Sequence, residues 1–233
     1  VRVEEYQEQP DSNIESLKKF DLRIVKGLES LVTETKENLL NYKKALTKCF
    51  EEVSKFRDYI NQAGDLSGLS EELIKAIICV ESKGNHLSTS YKGAGGLAQL
   101  MKGTAKELGL SPHERYKPRS IINAMGYLAD LIEQFGKSFY GIAAYNTGPK
   151  RVDEYIKENG KENAYFYLPS ETKRFVREVL AIYDILINKE RYGIKVKNQP
   201  LFSTNIIDSF SHKVKEGDTI WRISRLYGVP IDE

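Results

Sequence analysis

Apolar residues recur at helical spacing through most of this chain, and the strict alternation that is typical of strands is nearly absent. Short breaks that contain glycine or proline separate the helical patterns, at 92–96, 109–118, 146–149 and 167–169. We therefore predict a mainly α domain over residues 63–192, because helices with one apolar face must pack on one another. The expected helices begin after Ser70 and then cover 103–109, 120–136, 138–145, 150–158 and 170–188, the last of them capped by Ser170.

Residues 1–62 precede this domain and carry a different pattern. Their apolar side chains are spaced by alternating steps of three and four residues, which places them on one seam of a helix. We predict a helical arm of one long or two shorter helices, used either for packing within the chain or for self-association and partner contact. The seam comprises Leu39, Tyr42, Leu46, Cys49, Val53, Phe56 and Ile60.

Charge and cysteine content exclude several classes of function. The 35 Lys and Arg residues nearly balance the 33 Asp and Glu residues, so the formal net charge is +2 and gives no long-range attraction to nucleic acid or anionic membrane. No apolar run approaches the roughly 18–20 residues that span a bilayer. Cys49 and Cys79 are too few for a disulfide scaffold and lack metal-ligand spacing, so we expect no metal site and a small core residue at Cys49.

The helix that begins after Ser70 places a carboxyl at the end of an apolar stripe. Leu73, Ile74 and Ile77 belong to this stripe, and Glu81 continues it. Poor solvation raises the pKa of a carboxyl, and a carboxylic acid still protonated near neutral pH can act as a general acid. The spacing fits equally an ordinary helix-end glutamate that turns to water or pairs with a lysine.

Four short motifs then follow in order, and together they carry a resemblance. Glu81-Ser82 is followed by Ser90 and by the run Gly93-Ala94-Gly95-Gly96-Leu97-Ala98-Gln99-Leu100-Met101; further on come Ala143-Ala144-Tyr145-Asn146-Thr147-Gly148-Pro149 and Tyr167-Leu168-Pro169-Ser170-Glu171-Thr172. In order and spacing they resemble the catalytic domain of lytic transglycosylases of the soluble type, in the lysozyme-like superfamily. The resemblance implies a lysozyme-like helical fold.

Carried over by position, the resemblance implies that Glu81 is the single catalytic acid and base. It implies a cleft whose substrate-binding residues are Ser90, Gln99, Met101, Tyr145 and Asn146. Ala98 stands where the family usually has methionine, and we expect this change to widen the pocket. Lys83 and Gly84 replace the commoner Gly-Phe.

The activity implied by the resemblance is cleavage of the MurNAc–GlcNAc β-1,4 bond of peptidoglycan. The muramyl C6 hydroxyl attacks C1 and leaves a 1,6-anhydro end, with neither metal nor organic cofactor. Hydrolytic glycosidases use two carboxylates, whereas the chain has no Asp or Glu between Glu81 and Glu107; a distant carboxylate could still fold into the cleft. A muramidase on the same fold and a catalytically silent peptidoglycan-binding protein are the alternatives.

The C-terminal part of the chain, residues 193–233, has a third sequence pattern. Residues 193–211 lack helical periodicity and predict a linker. The pattern over 212–233 resembles the first half of a LysM module, a glycan-binding unit, which implies sugar contacts at Gly217, Asp218 and Thr219. The alternative, which we favour for half a module, is a truncated segment that is disordered or docks on the domain without binding glycan. The resemblance further implies a bacterial cell envelope location, periplasmic or secreted, with peptidoglycan strands as partners. Because the chain begins at Val1 and ends within a motif, we expect it to be a piece of a longer protein.

Overall fold

The computed structural model describes residues 27–197, together with Phe202 and Ile223. Helices dominate this part of the chain. In chain order they are α1 (Leu28–Leu40), α2 (Lys43–Ser54), α3 (Arg57–Ser67), α4 (Glu71–Ser82), α5 (Lys102–Glu107), a 3₁₀ turn (Glu114–Tyr116), α6 (Ser120–Phe135), α7 (Ser138–Thr147), α8 (Pro149–Asn159), α9 (Ala164–Tyr167) and α10 (Ser170–Ile187). The prediction of a mainly α fold is confirmed.

Helix α6 is the centre of the fold. Apolar side chains are buried around most of its circumference, which is the pattern of a helix enclosed by other elements. It packs against α3 and α7, while α10 packs against α1, α4 and α7. The contact between α6 and α7 is close because residue 141 is glycine: a Cβ there would lie 2.7 Å from the Cα of Ile132.

The predicted helix boundaries match the structure to within about two residues, with three differences. The helix expected over 138–145 continues to Thr147, so that Gly148 alone separates α7 from α8. Ser170 is the first residue of α10 and not its cap; Pro169 occupies the cap position, and its carbonyl accepts the N–H of Lys173. The short α9 and the 3₁₀ turn were not predicted, because elements this short carry no periodic signal.

The arm seam is divided among three helices in the described residues. Two-residue breaks at 41–42 and 55–56 separate α1, α2 and α3. A straight helix of this length would extend about 60 Å, beyond a domain roughly 40 Å across, whereas the breaks let the chain wrap around it. Most seam side chains therefore join the same apolar core as α6, and Tyr42 stays exposed; the buried ones are Leu46, Val53, Phe56 and Ile60.

The two cysteines form a disulfide, contrary to the expectation of a simple core residue at Cys49. Cys49 lies on α2 and Cys79 on α4, and their Cα atoms are 6.1 Å apart. Because the two residues are 30 positions apart in sequence, nothing in their spacing indicated that α2 packs on α4. The bond joins the arm to the helix that carries Glu81, two residues before that carboxyl.

The segment after α10 runs back along α2. Ser54 donates its hydroxyl to the carbonyl of Lys197, and the N–H of Phe202 donates to the carbonyl of Lys55. The Phe202 ring stacks on Phe56 at 4.6 Å between centroids, with the planes 6° apart. The start of the predicted linker is thus attached to the helical domain. No helix within the described ranges is both long and apolar enough to cross a membrane.

We expect the Cys49–Cys79 bond to contribute roughly 3 kcal/mol to the free energy of unfolding, because it closes a loop of about 30 residues in the unfolded chain. Guanidinium denaturation of the oxidised and the reduced protein measures this difference. The Cys49→Ser/Cys79→Ser double variant should match the reduced protein and should not respond to reductant. Equal denaturation midpoints for oxidised and reduced wild type would contradict the prediction.

Candidate active site

Helix α4 presents Glu81 at its C-terminal end. Ser70 caps the helix by accepting the N–H of Leu73 at 3.3 Å, as its sequence position predicted. The stripe residues Leu73, Ile74 and Ile77 are fully buried, and Glu81 continues them to the point where the helix reaches the surface. The carboxyl is therefore partly exposed, with the core behind it and an open cleft in front.

This environment raises the pKa of Glu81 from about 4.5 to about 8. Burial is the main cause, because removal from water disfavours the charged carboxylate. The negative charge of Glu171 contributes in the same direction. The carboxyl also lies in the last helical turn, where the helix dipole disfavours an anion. Of the two sequence interpretations, a poorly solvated acid and an ordinary helix-end glutamate, the geometry favours the first.

A compact loop from Lys83 to Met101 forms one wall of the cleft. Backbone hydrogen bonds fold it on itself: Ser90 and Ala94 pair across one turn, and Gly95 and Leu100 exchange N–H to carbonyl bonds at 3.0 Å. The Ser90 hydroxyl accepts the N–H of Ala94 at 3.0 Å. Its own proton can still be donated to a group in the cleft.

Gln99 reinforces the same loop. Its backbone has a positive φ of 47°, which is uncommon for a residue with a side chain. The amide nitrogen Nε2 donates to the carbonyls of Ser88 and Gly96, at 3.1 and 2.8 Å. Because these two bonds use both amide protons, the side chain can offer a substrate only its carbonyl oxygen as an acceptor.

A buried arginine supports the loop from behind, and it was not found from the sequence. Arg115 is 2% exposed, and its Nη1 donates to the carbonyls of Gly93 and Leu100, both at 2.8 Å. Its Nε donates to the carbonyl of Pro112 at 3.0 Å. Charged donors make strong hydrogen bonds to carbonyls in a low-dielectric interior. The guanidinium thus holds both ends of the glycine-rich segment that lies between Ser90 and Met101.

The opposite wall comes from α6 and α7. The Tyr145 hydroxyl donates to the carbonyl of Ala98 at 2.7 Å and so joins this wall to the loop. Burial, together with the charge of Glu81, raises the pKa of Tyr145 well above its ordinary value. Tyr127 packs beside it, with ring centroids 6.0 Å apart. Ala98 itself is buried and does not line the cleft, and the expected widening of the pocket at this position stays a prediction.

The cleft between these walls has a volume of about 190 Å³. It brings together all six of the residues predicted for the catalytic domain, whose individual roles stay predictions: Glu81, Ser90, Gln99, Met101, Tyr145 and Asn146. Larger grooves of about 320 and 860 Å³ occur elsewhere on the described surface and contain none of these six. The predicted glycan contacts Gly217, Asp218 and Thr219 lie outside the described residues.

The sequence interpretation gave no role to seven further lining residues, among them Tyr127, Lys92 and Glu171. Glu171 answers a question that the sequence left open, since a distant carboxylate does fold into the cleft beside Glu81. Its position within the Leu168-Pro169-Ser170-Glu171-Thr172 motif was the signal that could have identified it. Among the described residues, no cluster of three or more His, Cys, Asp or Glu side chains could hold a metal ion.

Two known protein families match parts of this chain. Residues 58–167 match the family model described as "Transglycosylase SLT domain". Residues 212–233 match the model described as "LysM domain". The first match contains α4, the loop that follows it, α6 and α7, which build most of the cleft around Glu81. The start of α10, which carries Glu171, lies beyond the matched residues.

Individual relatives are named lytic murein transglycosylases. The chain is 35% identical over 128 residues to membrane-bound lytic murein transglycosylase D of Escherichia coli K12, an alignment that covers 50% of this chain and 28% of that protein. It is 34% identical over 131 residues to the soluble lytic murein transglycosylase of Salmonella typhimurium, covering 50% and 20%. The solved 70 kDa soluble lytic transglycosylase of Escherichia coli is 29% identical, with a TM-score of 0.49 over 56% of this chain and 24% of that one. The chain spans less than half the length of each of these relatives.

Two glycines of the loop provide a matched test of its close packing. Gly93 and Gly96 have nearly the same φ, 85° and 84°, so alanine would be strained at both positions. A Cβ at position 96 would lie 1.7 Å from the carbonyl oxygen of Arg115, whereas a Cβ at 93 meets nothing within 4 Å.

We therefore expect Gly93→Ala to lower the free energy of unfolding by about 1–2 kcal/mol and to leave most of the activity. Gly96→Ala should also displace the loop from Arg115, with a further loss of stability and of nearly all turnover. Thermal unfolding and turnover of both variants measure this. Similar effects of the two substitutions would show that the approach of Arg115 does not constrain the loop.

Proposed function

We propose that the chain, whose residues 58–167 match the transglycosylase SLT domain, is a peptidoglycan lytic transglycosylase that cleaves the MurNAc–GlcNAc β-1,4 bond. One observation carries the proposal: a glutamate whose pKa is raised to about 8 faces a cleft lined by Ser90, Gln99 and Tyr145. The names of the relatives, lytic murein transglycosylases, support the same reaction.

In the first step Glu81 acts as a general acid. Its raised pKa keeps the carboxyl protonated at neutral pH, so that it can donate a proton to the glycosidic oxygen as the bond to C1 of MurNAc breaks. The electron pair of that bond leaves with the departing sugar, whose oxygen receives the proton. Glu81 is then a carboxylate beside a positively charged sugar ring.

In the second step the same carboxylate acts as a base. It takes the proton of the MurNAc C6 hydroxyl while that oxygen bonds to C1, which yields the 1,6-anhydro ring and restores the protonated Glu81. The nucleophile is part of the reacting sugar, and intramolecular attack gains a large effective concentration. One carboxyl therefore completes the cycle.

The second candidate function is hydrolysis, and Glu171 is the observation that favours it. A muramidase needs a second carboxylate to activate water or to bond the sugar, and Glu171 lines the same cleft as Glu81. However, the Lys92 ammonium donates to Glu171 Oε2 at 3.1 Å, so a water activated by Glu171 would have to compete with this ion pair. We therefore favour the intramolecular reaction.

The remaining lining residues would bind the sugar. We propose that the Ser90 hydroxyl and the Gln99 carbonyl oxygen take hydrogen bonds with hydroxyl or N-acetyl groups, that Met101 contacts an apolar sugar face, and that Asn146 orients the ring from the opposite wall. Met101 is 45% exposed and supplies accessible apolar surface at the cleft edge. Tyr145 orients the loop through its hydrogen bond to Ala98.

Location and partners follow from the rest of the chain. The Cys49–Cys79 disulfide supports an oxidising compartment, and we propose a periplasmic or secreted enzyme of the bacterial envelope. The division into arm (1–62), catalytic domain (63–192), linker (193–211) and partial LysM module (212–233) stays a proposal, with glycan contact at Gly217, Asp218 and Thr219. Self-association through the arm stays a prediction too; the described seam residues are mostly used within the chain.

The reaction is tested by the mass of its products. We expect wild type to release muropeptides with 1,6-anhydro ends, one water lighter than hydrolysed ends, and Glu81→Gln to release none because glutamine cannot donate or accept the proton. Mass spectrometry of sacculus digests measures both. Glu158→Gln, the same change at an exposed position of α8, is the matched control and should behave as wild type.

The outcomes separate the candidates. Hydrated ends alone would identify a muramidase, and unchanged release by Glu81→Gln would remove Glu81 from catalysis. Loss of fold would not explain a loss of activity, because Glu81→Gln should be at least as stable as wild type at pH 7. The pKa of Glu81 is higher in the folded than in the unfolded chain, so this residue destabilises the fold as pH rises from about 4.5 to about 8, and glutamine removes that effect.

The pH dependence of kcat/KM gives a further prediction. Since the first step needs protonated Glu81, the rate should fall by about tenfold per pH unit above about pH 8, well above the ordinary range of a glutamate. Muropeptide release in buffers of constant ionic strength measures this alkaline limb. A limb centred near pH 5 would show that Glu81 is solvated in the free enzyme.

A further inference from the structure

An ion pair joins the two sides of the cleft mouth. Lys92 lies on the loop and Glu171 in the first turn of α10, and the Lys92 ammonium donates to Glu171 Oε2 at 3.1 Å and to Oε1 at 3.5 Å. The two residues are 79 positions apart in sequence. Both side chains are more than half exposed, at 52% and 59%. An ion pair this exposed contributes little to the stability of the fold. Its two residues line the same cleft as Glu81, so their charges lie where they can affect that carboxyl.

The groups that face Glu81 come from four elements. Tyr91 and Lys92 belong to the loop, Tyr127 to α6, Tyr145 to α7 and Glu171 to α10. Burial raises the pKa values of Tyr127 and Tyr145, which keeps both hydroxyls neutral at neutral pH. Among the described lining residues, Lys92 and Glu171 are therefore the charged side chains from outside the helix of Glu81, and Glu171 is the one whose charge raises the pKa of Glu81.

We propose that Glu171 and Lys92 are positioning residues for proton transfer, with the Glu171 carboxylate favouring the protonated form of Glu81 and the Lys92 ammonium limiting that effect. The role rests on the proposed function, because it concerns the acid step assigned to Glu81. Neither residue has to touch the reacting atoms. The carboxylate acts through the cleft by its charge, and the lysine keeps part of that charge compensated.

Two observations support this assignment. Burial is the larger cause of the raised pKa of Glu81, and among the described residues Glu171 is the one charged residue that raises it further. The pKa of Lys92 is raised in turn, chiefly by its hydrogen bond to Glu171, so the lysine stays charged wherever Glu81 titrates. The coupling between partly exposed charges is screened by salt, and the effect of Glu171 should therefore weaken at high ionic strength.

The test removes or keeps each charge. We expect Glu171→Gln to move the alkaline limb of kcat/KM to lower pH by about half a unit, and Lys92→Gln to move it to higher pH by a similar amount, at low salt. Glu171→Asp and Lys92→Arg keep the charges and should keep the limb. Both shifts should shrink in about 1 M salt. Lys157→Gln, which breaks an exposed Lys157–Asp153 pair on α8, is the control and should not move it.

The pKa of Glu81 is also measured directly by carboxyl ¹³C NMR of the substrate-free protein, with Glu81→Gln identifying the signal. This reading does not depend on the reaction. The expected shifts in the NMR titration would support the inference even if the products prove to be hydrolytic, so that the proposed function alone would fail. Shifts of the same sign for both charge-removing variants, or no shift with changes in kcat or stability only, would overturn it.

Discussion

Desolvation of one carboxyl at the end of a helix is the constraint around which the catalytic domain is arranged. Glu81 continues the buried stripe of α4, so its carboxyl has apolar core behind it and cannot be fully hydrated. Its pKa of about 8 depends on α4 keeping this position, because a small rotation of the last turn would expose the group to water. Helix α10 packs along α4, α2 packs on it as well, and the disulfide at Cys79 fixes it two residues before the acid. The fold thus restrains the helix most strongly near the residue that needs the restraint.

The loop opposite Glu81 needs hydrogen-bond partners for polar groups that are buried, whereas Glu81 needs burial without such partners. Its segment from Gly93 to Ala98 has only small side chains apart from Leu97, and the backbone polar groups there must find partners although Ala94 to Ala98 are buried. Three side chains supply them: Ser90 accepts one N–H, Gln99 donates to two carbonyls, and Arg115 donates to two more from behind. Two of these residues, Ser90 and Gln99, also line the cleft, so the groups that we propose bind substrate are held by the same hydrogen bonds that hold the loop. Glycine is needed at position 96 because the backbone there passes directly over Arg115, whose carbonyl group would overlap a Cβ.

These two parts of the site differ in how far the sequence could predict them. The helix start at Ser70, the apolar stripe and the placement of Glu81 are local, so periodicity and capping chemistry were sufficient. The motifs around Ser90, Gln99 and Tyr145 identified residues that do share one cleft, although spacing alone did not show how they meet. Arg115, the Cys49–Cys79 bond and the Lys92–Glu171 pair depend on contacts between distant segments, which no local pattern encodes. The motif that contains Glu171 is visible in the sequence, but only the fold shows that its carboxylate lies in the same cleft as Glu81.

A buried carboxyl with a raised pKa lowers the stability of the fold, and the architecture offsets this loss. Between about pH 4.5 and pH 8 the folded chain holds a proton on Glu81 that the unfolded chain releases, so each step upward in pH favours unfolding. The cross-link between α2 and α4 acts on the other side of that balance by restricting the unfolded chain, and it does so at any pH at which it stays oxidised. With a net charge of only +2, the chain has little long-range field to assist either substrate capture or proton transfer. The local charges at the cleft mouth, Lys92 and Glu171, therefore have an influence on Glu81 that no global charge balance would supply.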